Sequence, residues 1–208
     1  MRQIRGANNK SFEFVKNRAR ITPSKITIKD ITLIAILAAI LFVQEQVFSY
    51  LPIIQLTVLL LVLYSKHLGI IKTLIIITIH VILDNLISGY FNPILVLSMI
   101  IGWSLIPILL CSVFKKVNSN ISLALLGILF SFLYCWVIAL PHSIVMEVDF
   151  LSYLTMDVIW EVSLAFASFL TILLLYKPLA KLFDKLNICK SYSYYEKEEA
   201  RRKCKKTF

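Results

Sequence analysis

Five ionisable side chains stand where few belong. Glu45, His80, Asp84, Asp157 and Glu161 each lie within or beside a long apolar run. In the middle of a bilayer such a group costs at least about 2.5–3.5 kcal/mol. They are therefore expected to face a protein interior or a water-filled cavity. His80 with Asp84, and Asp157 with Glu161, are spaced i, i+4, which puts each pair on one helix face. Convergent polar groups with aromatics in an apolar frame suit a small-molecule site. Glu45, Gln55, His80, Asp84, Asn85, Tyr134, Trp136 and Glu161 are the candidate ligand contacts.

Plainer readings stand beside these. Gln44, Glu45 and Gln46 are consecutive, so at least one is expected at an interface rather than inside. Asp157 is either a cavity group or a solvated one near the surface. Trp103, Trp136 and Trp160 are packing or interfacial aromatics as readily as ligand contacts. His80 either hydrogen-bonds Asp84 or meets a ligand. The same two residues have metal-ligand spacing. A third histidine is hard to supply, because His67 and His142 fall in other regions. No metal and no cofactor are expected.

The charge around these groups narrows the ligand. No Lys or Arg shares the same half of any apolar run. An anionic ligand would call for Arg or a pre-organised donor cluster. The expected ligand is neutral or cationic, hydrogen-bonding and partly aromatic.

The elements that must position these residues follow from composition. The chain has 208 residues, 59% hydrophobic and 16% charged. Average usage is about 45–50% apolar and about 25% charged. The mean hydropathy is +0.81. A soluble core of this size could not hide that much apolar surface, so lipid must be the solvent. Disorder, coiled coil and a disulfide scaffold are excluded by the same figures. Cys111 and Cys135 sit in apolar runs, and Cys189 and Cys204 in a basic tail. No CxxC or Cys/His zinc spacing occurs, and all four are expected reduced and structural.

Six helices are expected, over about 31–50, 51–64, 69–88, 94–113, 121–140 and 153–176. The first has twenty residues, long enough for about 30 Å of hydrocarbon. The second has 14 residues, or roughly 21 Å, too short for a whole bilayer. Its connection to the first is expected to dip below the outer surface, which non-helical backbone tolerates only inside protein or beside water. Pro52 is placed at its start, Pro107 at a kink in the fourth helix, and Pro141 at the end of the fifth.

The net charge of +10 invites a nucleic-acid reading, but its distribution refuses it. Eight basic residues lie in 1–29 and ten in 177–208, leaving Lys66, Lys72, Lys115 and Lys116. With six spans, all of these fall on one side. The other side carries Glu147 and Asp149. The positive-inside bias makes the basic side cytoplasmic. The expectation is an all-α integral membrane protein in the cell membrane. It has six transmembrane helices, both termini cytoplasmic, and one compact bundle with an outward-facing ligand cavity. Residues 1–29 would be a basic leader, 30–186 the membrane domain and 187–208 a charged cytoplasmic tail. In this topology the candidate contacts all lie in the outer half.

A basic leader, six helices in about 200 residues and a greasy inner half together resemble an S component. S components are the substrate-binding subunits of energy-coupling factor vitamin transporters. The stretch IAILAAILF carries the resemblance locally, with Ala35 and Ala39 forming an AxxxA face and Ala38 widening it. Small residues let helices approach closely in lipid. SYLPIIQLTVLLLVLYSKHLG, HVILDNLISG and YKPL add to the likeness, which covers about 30–186.

The resemblance implies a substrate-capture subunit for a vitamin or cofactor precursor. It would dock on a transmembrane coupling protein energised by two cytoplasmic ATPases, and would do no chemistry itself. The chain has no GxxxxGK[ST] motif of its own. Two other classes compete. An autonomous proton-coupled carrier could use Asp84 or Glu161, though no internal repeat is seen. An intramembrane enzyme would need a nucleophile and base or a metal set, and no GxSxG occurs.

Overall fold

The structure is a computed structural model, and it describes residues 27–48, 55–89, 91–115, 117 and 119–185. The chain falls into two compact units, Met1–Thr32 and Leu33–Phe208. Among the described residues there are six helices and no strand: α1 (Ile28–Phe48), α2 (Thr57–Leu68), α3 (Ile70–Ile87), α4 (Pro93–Ser112), α5 (Asn120–Val145) and α6 (Phe150–Lys185). All but α2 are long and apolar enough to cross a membrane. This is the build of a multi-pass α-helical membrane protein.

Of the first unit, 27–32 are described. Thr27 and Asp30 form a reciprocal cap at the start of α1. The Thr27 backbone N–H and hydroxyl donate to Asp30 Oδ2 at 3.0 and 2.8 Å, and the Asp30 N–H donates back to Thr27 Oγ1 at 3.3 Å. This satisfies donors that the first helical turn leaves unpaired.

The second unit is built around α2. Its sequence TVLLLVLYSKHL is apolar on every side, and such a helix belongs in a core. Every residue from Thr57 to Ser65 is buried. The helices α3, α4, α5 and α6 all pack against it. At 12 residues it is about 18 Å long, shorter still than the sequence suggested. Its bounds also move, from 51–64 to Thr57–Leu68. The expected helix start at Pro52 lies outside the described residues. Gly69, with φ at +82°, joins α2 to α3 in the left-handed region that suits glycine.

Side chains close the junctions around this core. Gln44 Nε2 donates to Thr57 Oγ1 at 2.8 Å, and Gln44 Oε1 accepts from the Leu56 N–H at 3.3 Å. Gln44 thus ties the end of α1 to the start of α2. At the far end of α2, Lys66 Nζ donates to the Val117 carbonyl at 2.6 Å. His67 Nε2 stands 3.9 Å from Asp184 Oδ1, and Phe183 packs on both Tyr64 and His67.

The fifth helix does not stop at Pro141, contrary to the sequence reading. Proline lacks an N–H and its ring crowds the preceding turn, yet α5 continues to Val145. Two side chains just beyond it bond to carbonyls of the same stretch. Ser143 Oγ donates to Leu140 O at 2.8 Å, and His142 Nδ1 lies 3.2 Å from Ile138 O. The helix ends where Glu147 adopts φ 55° and the Val148 N–H bonds back to Ser143 O at 3.0 Å. Asp149 then caps α6, its Oδ2 accepting from the N–H groups of Leu151 and Ser152 at 3.1 and 3.2 Å. The loop expected over 141–152 shrinks to four residues, 146–149. The sixth helix likewise runs through Pro178 to Lys185, giving 36 residues, or about 54 Å.

The small residues of α1 divide between two faces. Ala35 and Ala39 are exposed, on a stripe with Ile36, Ile40, Val43 and Val47. Ala38 is 1% exposed and packs inward with Ile34, Leu37 and Leu41. It does not widen the outer face as expected. At 100° per residue it sits about 100° round from Ala39, on the core side.

Candidate ligand-binding site

A cavity of about 230 Å³ opens among α1, α4, α5 and α6. Glu45 lines it from α1, and Gln55 from just before α2. Met99 and Trp103 come from α4, Tyr134, Cys135, Ile138 and His142 from α5, and Tyr153, Asp157, Trp160 and Leu164 from α6. The spacings are helical: i, i+4 on α4, and steps of four, three and four along α6. Extending α5 past Pro141 is what brings His142 into the wall.

Aromatic rings make up much of this wall. Trp103 and Tyr134 stack with centroids 3.6 Å apart and planes at 22°. Gly102 allows the approach, since a Cβ there would stand 2.9 Å from Tyr134 Cδ2. His142 lies 5.9 Å from the Tyr153 ring. Gly102→Ala is expected to push the Tyr134 ring off Trp103 and into the cavity. Overpacking of this kind costs about 1–3 kcal/mol. A lower thermal midpoint with an altered near-ultraviolet dichroism signal is the expected readout, and an unchanged one would show the ring free to yield.

Behind Glu45 lies a polar layer. Glu45 Oε2 is 2.8 Å from His80 Nε2, with the histidine side chain 2% exposed and the glutamate 29%. Gln46 Nε2 donates to Asp84 Oδ1 at 2.8 Å. Asn85 Nδ2 donates to Val81 O at 2.8 Å and meets Met99 Sδ at 3.4 Å. One expectation is corrected here. His80 faces Glu45 on another helix rather than Asp84 on its own, because the last turns of α1 lie within reach of α3. Of the three consecutive residues Gln44, Glu45 and Gln46, the first is buried and the other two are half-buried. The three fan round α1, and each finds protein polar groups.

Of the candidate contacts, Glu45, Gln55 and Tyr134 line the cavity. His80, Asp84 and Asn85 stand in the layer behind it. Trp136 is 64% exposed and does not line it. Glu161 is 6% exposed, outside the lining, and its Oε1 has no hydrogen-bond partner among the described residues. Of the connection between α1 and α2, expected to dip below the outer surface, 49–54 lie outside the described residues, and Gln55 lines the cavity. Tyr153, Asp157 and Trp160 on α6, and Tyr134, Ile138 and His142 on α5, line it as helical stripes that residue type alone does not single out. Among the described residues no group of three or more His, Cys, Asp or Glu is placed to hold a metal ion.

No protein-family model, curated protein or solved structure matches this chain.

Proposed function

We propose that this chain is the membrane-embedded substrate-capture subunit of an uptake system, an S component of an energy-coupling factor transporter. Its ligand would be a small vitamin or cofactor precursor, neutral or cationic. The observation that carries the reading is the cavity, where polar and aromatic groups from four helices converge in an otherwise apolar bundle. A bundle that holds ligand but has no ATP-hydrolysing motif needs energy from elsewhere. A transmembrane coupling protein and two cytoplasmic ATPases would supply it, and the exposed Ala35/Ala39 face of α1 is the docking surface in this reading.

The test is assembly. The full chain, tagged and gently solubilised from its own cells, is expected to carry a coupling protein and two ATPases with it. Ala35→Trp and Ala39→Trp are expected to release them while ligand binding persists. Normal co-purification of both variants would refute docking through α1.

The proposed topology puts both termini in the cytoplasm, with the α5–α6 turn outside. In a cysteine-free background, Val148→Cys is expected to react with an impermeant maleimide on whole cells, and Asn118→Cys to stay unlabelled. The reverse pattern would overturn the orientation. A proton-coupled carrier is the second reading. It is favoured by one observation, the buried and unpartnered Glu161 Oε1.

A further inference from the structure

The charged groups of the cavity wall narrow the ligand. No Lys or Arg lines the cavity. Two carboxyl groups do, Glu45 from α1 and Asp157 from α6. A third acceptor follows from His142. Its Nδ1 lies 3.2 Å from the Ile138 carbonyl, which can only accept, so Nδ1 carries the proton. In the neutral ring Nε2 is then an acceptor. Of the nearby amides, Gln55 lines the cavity and can donate into it, and three others are engaged behind the wall. Gln44 donates to Thr57, Gln46 to Asp84, and Asn85 to Val81. His80 Nε2 stands 2.8 Å from Glu45 Oε2 behind the wall.

Aromatic faces complete the setting. Trp103, Tyr134, Tyr153 and Trp160 all line the same space. A ring system attracts a cation over its face within about 6 Å of the centroid, most strongly when the site is dry. The volume of about 230 Å³ falls below the roughly 300–1,000 Å³ of pockets for drug-sized ligands. A macrocycle is too large, and a ligand of one or two rings fits.

We propose that the cavity takes a planar cationic heterocycle of one or two rings. Its charge would lie within reach of Glu45 and Asp157, and its rings against the lining aromatics. The proposal rests on the reading of the cavity as a ligand site and specifies the ligand's charge and shape. An anion would meet two carboxyl groups with no Lys or Arg among the lining residues.

Calorimetry on the full-length chain in detergent tests this with a matched pair of probes. The N-methylnicotinamide cation and neutral meta-toluamide differ by one ring atom and one charge. The cation is expected to bind at least about tenfold more tightly, which corresponds to about 1.4 kcal/mol. Glu45→Gln and Asp157→Asn are each expected to remove about tenfold from the cation's affinity, again about 1.4 kcal/mol, and to leave the amide's unchanged. Asp157 is half-exposed, so Asp157→Asn carries the test by itself if Glu45→Gln disturbs the packing of His80. Equal binding of the two probes, unmoved by either variant, would overturn the cationic assignment and leave the ligand site standing. Binding of neither probe by a chain that also purifies without any small molecule would overturn both.

Discussion

Glu45→Leu is expected to lose ligand binding by about 100-fold, the upper part of the range for a charge-assisted hydrogen bond. Two effects add. The cavity loses a carboxyl from its wall, so a donor on the ligand is left unpaired. The His80 ring, 2% exposed, also loses the group at 2.8 Å from Nε2. Its Nδ1 already has no partner among the described residues. A buried imidazole with neither nitrogen satisfied costs about 1–3 kcal/mol. The variant should therefore melt lower as well as bind more weakly. Glu45→Gln keeps an oxygen facing His80 and should recover most of the stability. Affinity for the identified ligand and thermal midpoint, measured on the same preparations, separate the two effects. Wild-type affinity in Glu45→Leu would remove this wall from the site.

Glu161→Leu is expected to do the opposite. Glu161 is buried on α6, outside the cavity lining, and one carboxyl oxygen is unsatisfied. Replacing an incompletely paired buried acid by an apolar side chain of similar size is often neutral or stabilising. A gain of about 1 kcal/mol is expected, with ligand affinity unchanged. Uptake by cells carrying the variant separates the two functional readings. Retained uptake fits a capture subunit, whereas lost uptake with intact affinity would favour a carrier that moves a proton on Glu161.

The sequence made the helices legible because lipid imposes a simple rule. Long apolar runs with polar ends must be helical, since nothing else satisfies the backbone there. That rule gave five long helices and marked the second as too short. It did not show that the short helix is the centre of the packing, although its all-round apolar surface carried the signal. Helix ends were less legible. Proline at 141 reads as a stop by local rules, yet the helix runs on to Val145 and ends where Glu147 takes a positive φ.

Contacts between helices were the least legible. Spacing shows that His80 and Asp84 share a face, but only the fold reveals that Glu45 faces His80 and that Gln46 reaches Asp84. The site reading suffered in the same way. Glu45, Gln55 and Tyr134 line the cavity, whereas Glu161 and Trp136, selected by residue type and height, do not. Asp157 and Trp160 lie one turn or less from Glu161 in sequence and do line it, because a rotation of 100° per residue decides which face a side chain takes.

The central claim is that this bundle captures a small molecule, and native mass spectrometry of the full-length chain purified in detergent tests it most directly. The account predicts a species heavier than the apo chain by the mass of one small cationic ring compound, diminished in Glu45→Leu and unchanged in Glu161→Leu. A single apo species, with no mass adduct after purification from rich medium and none on incubation with small aromatic cations, would contradict it.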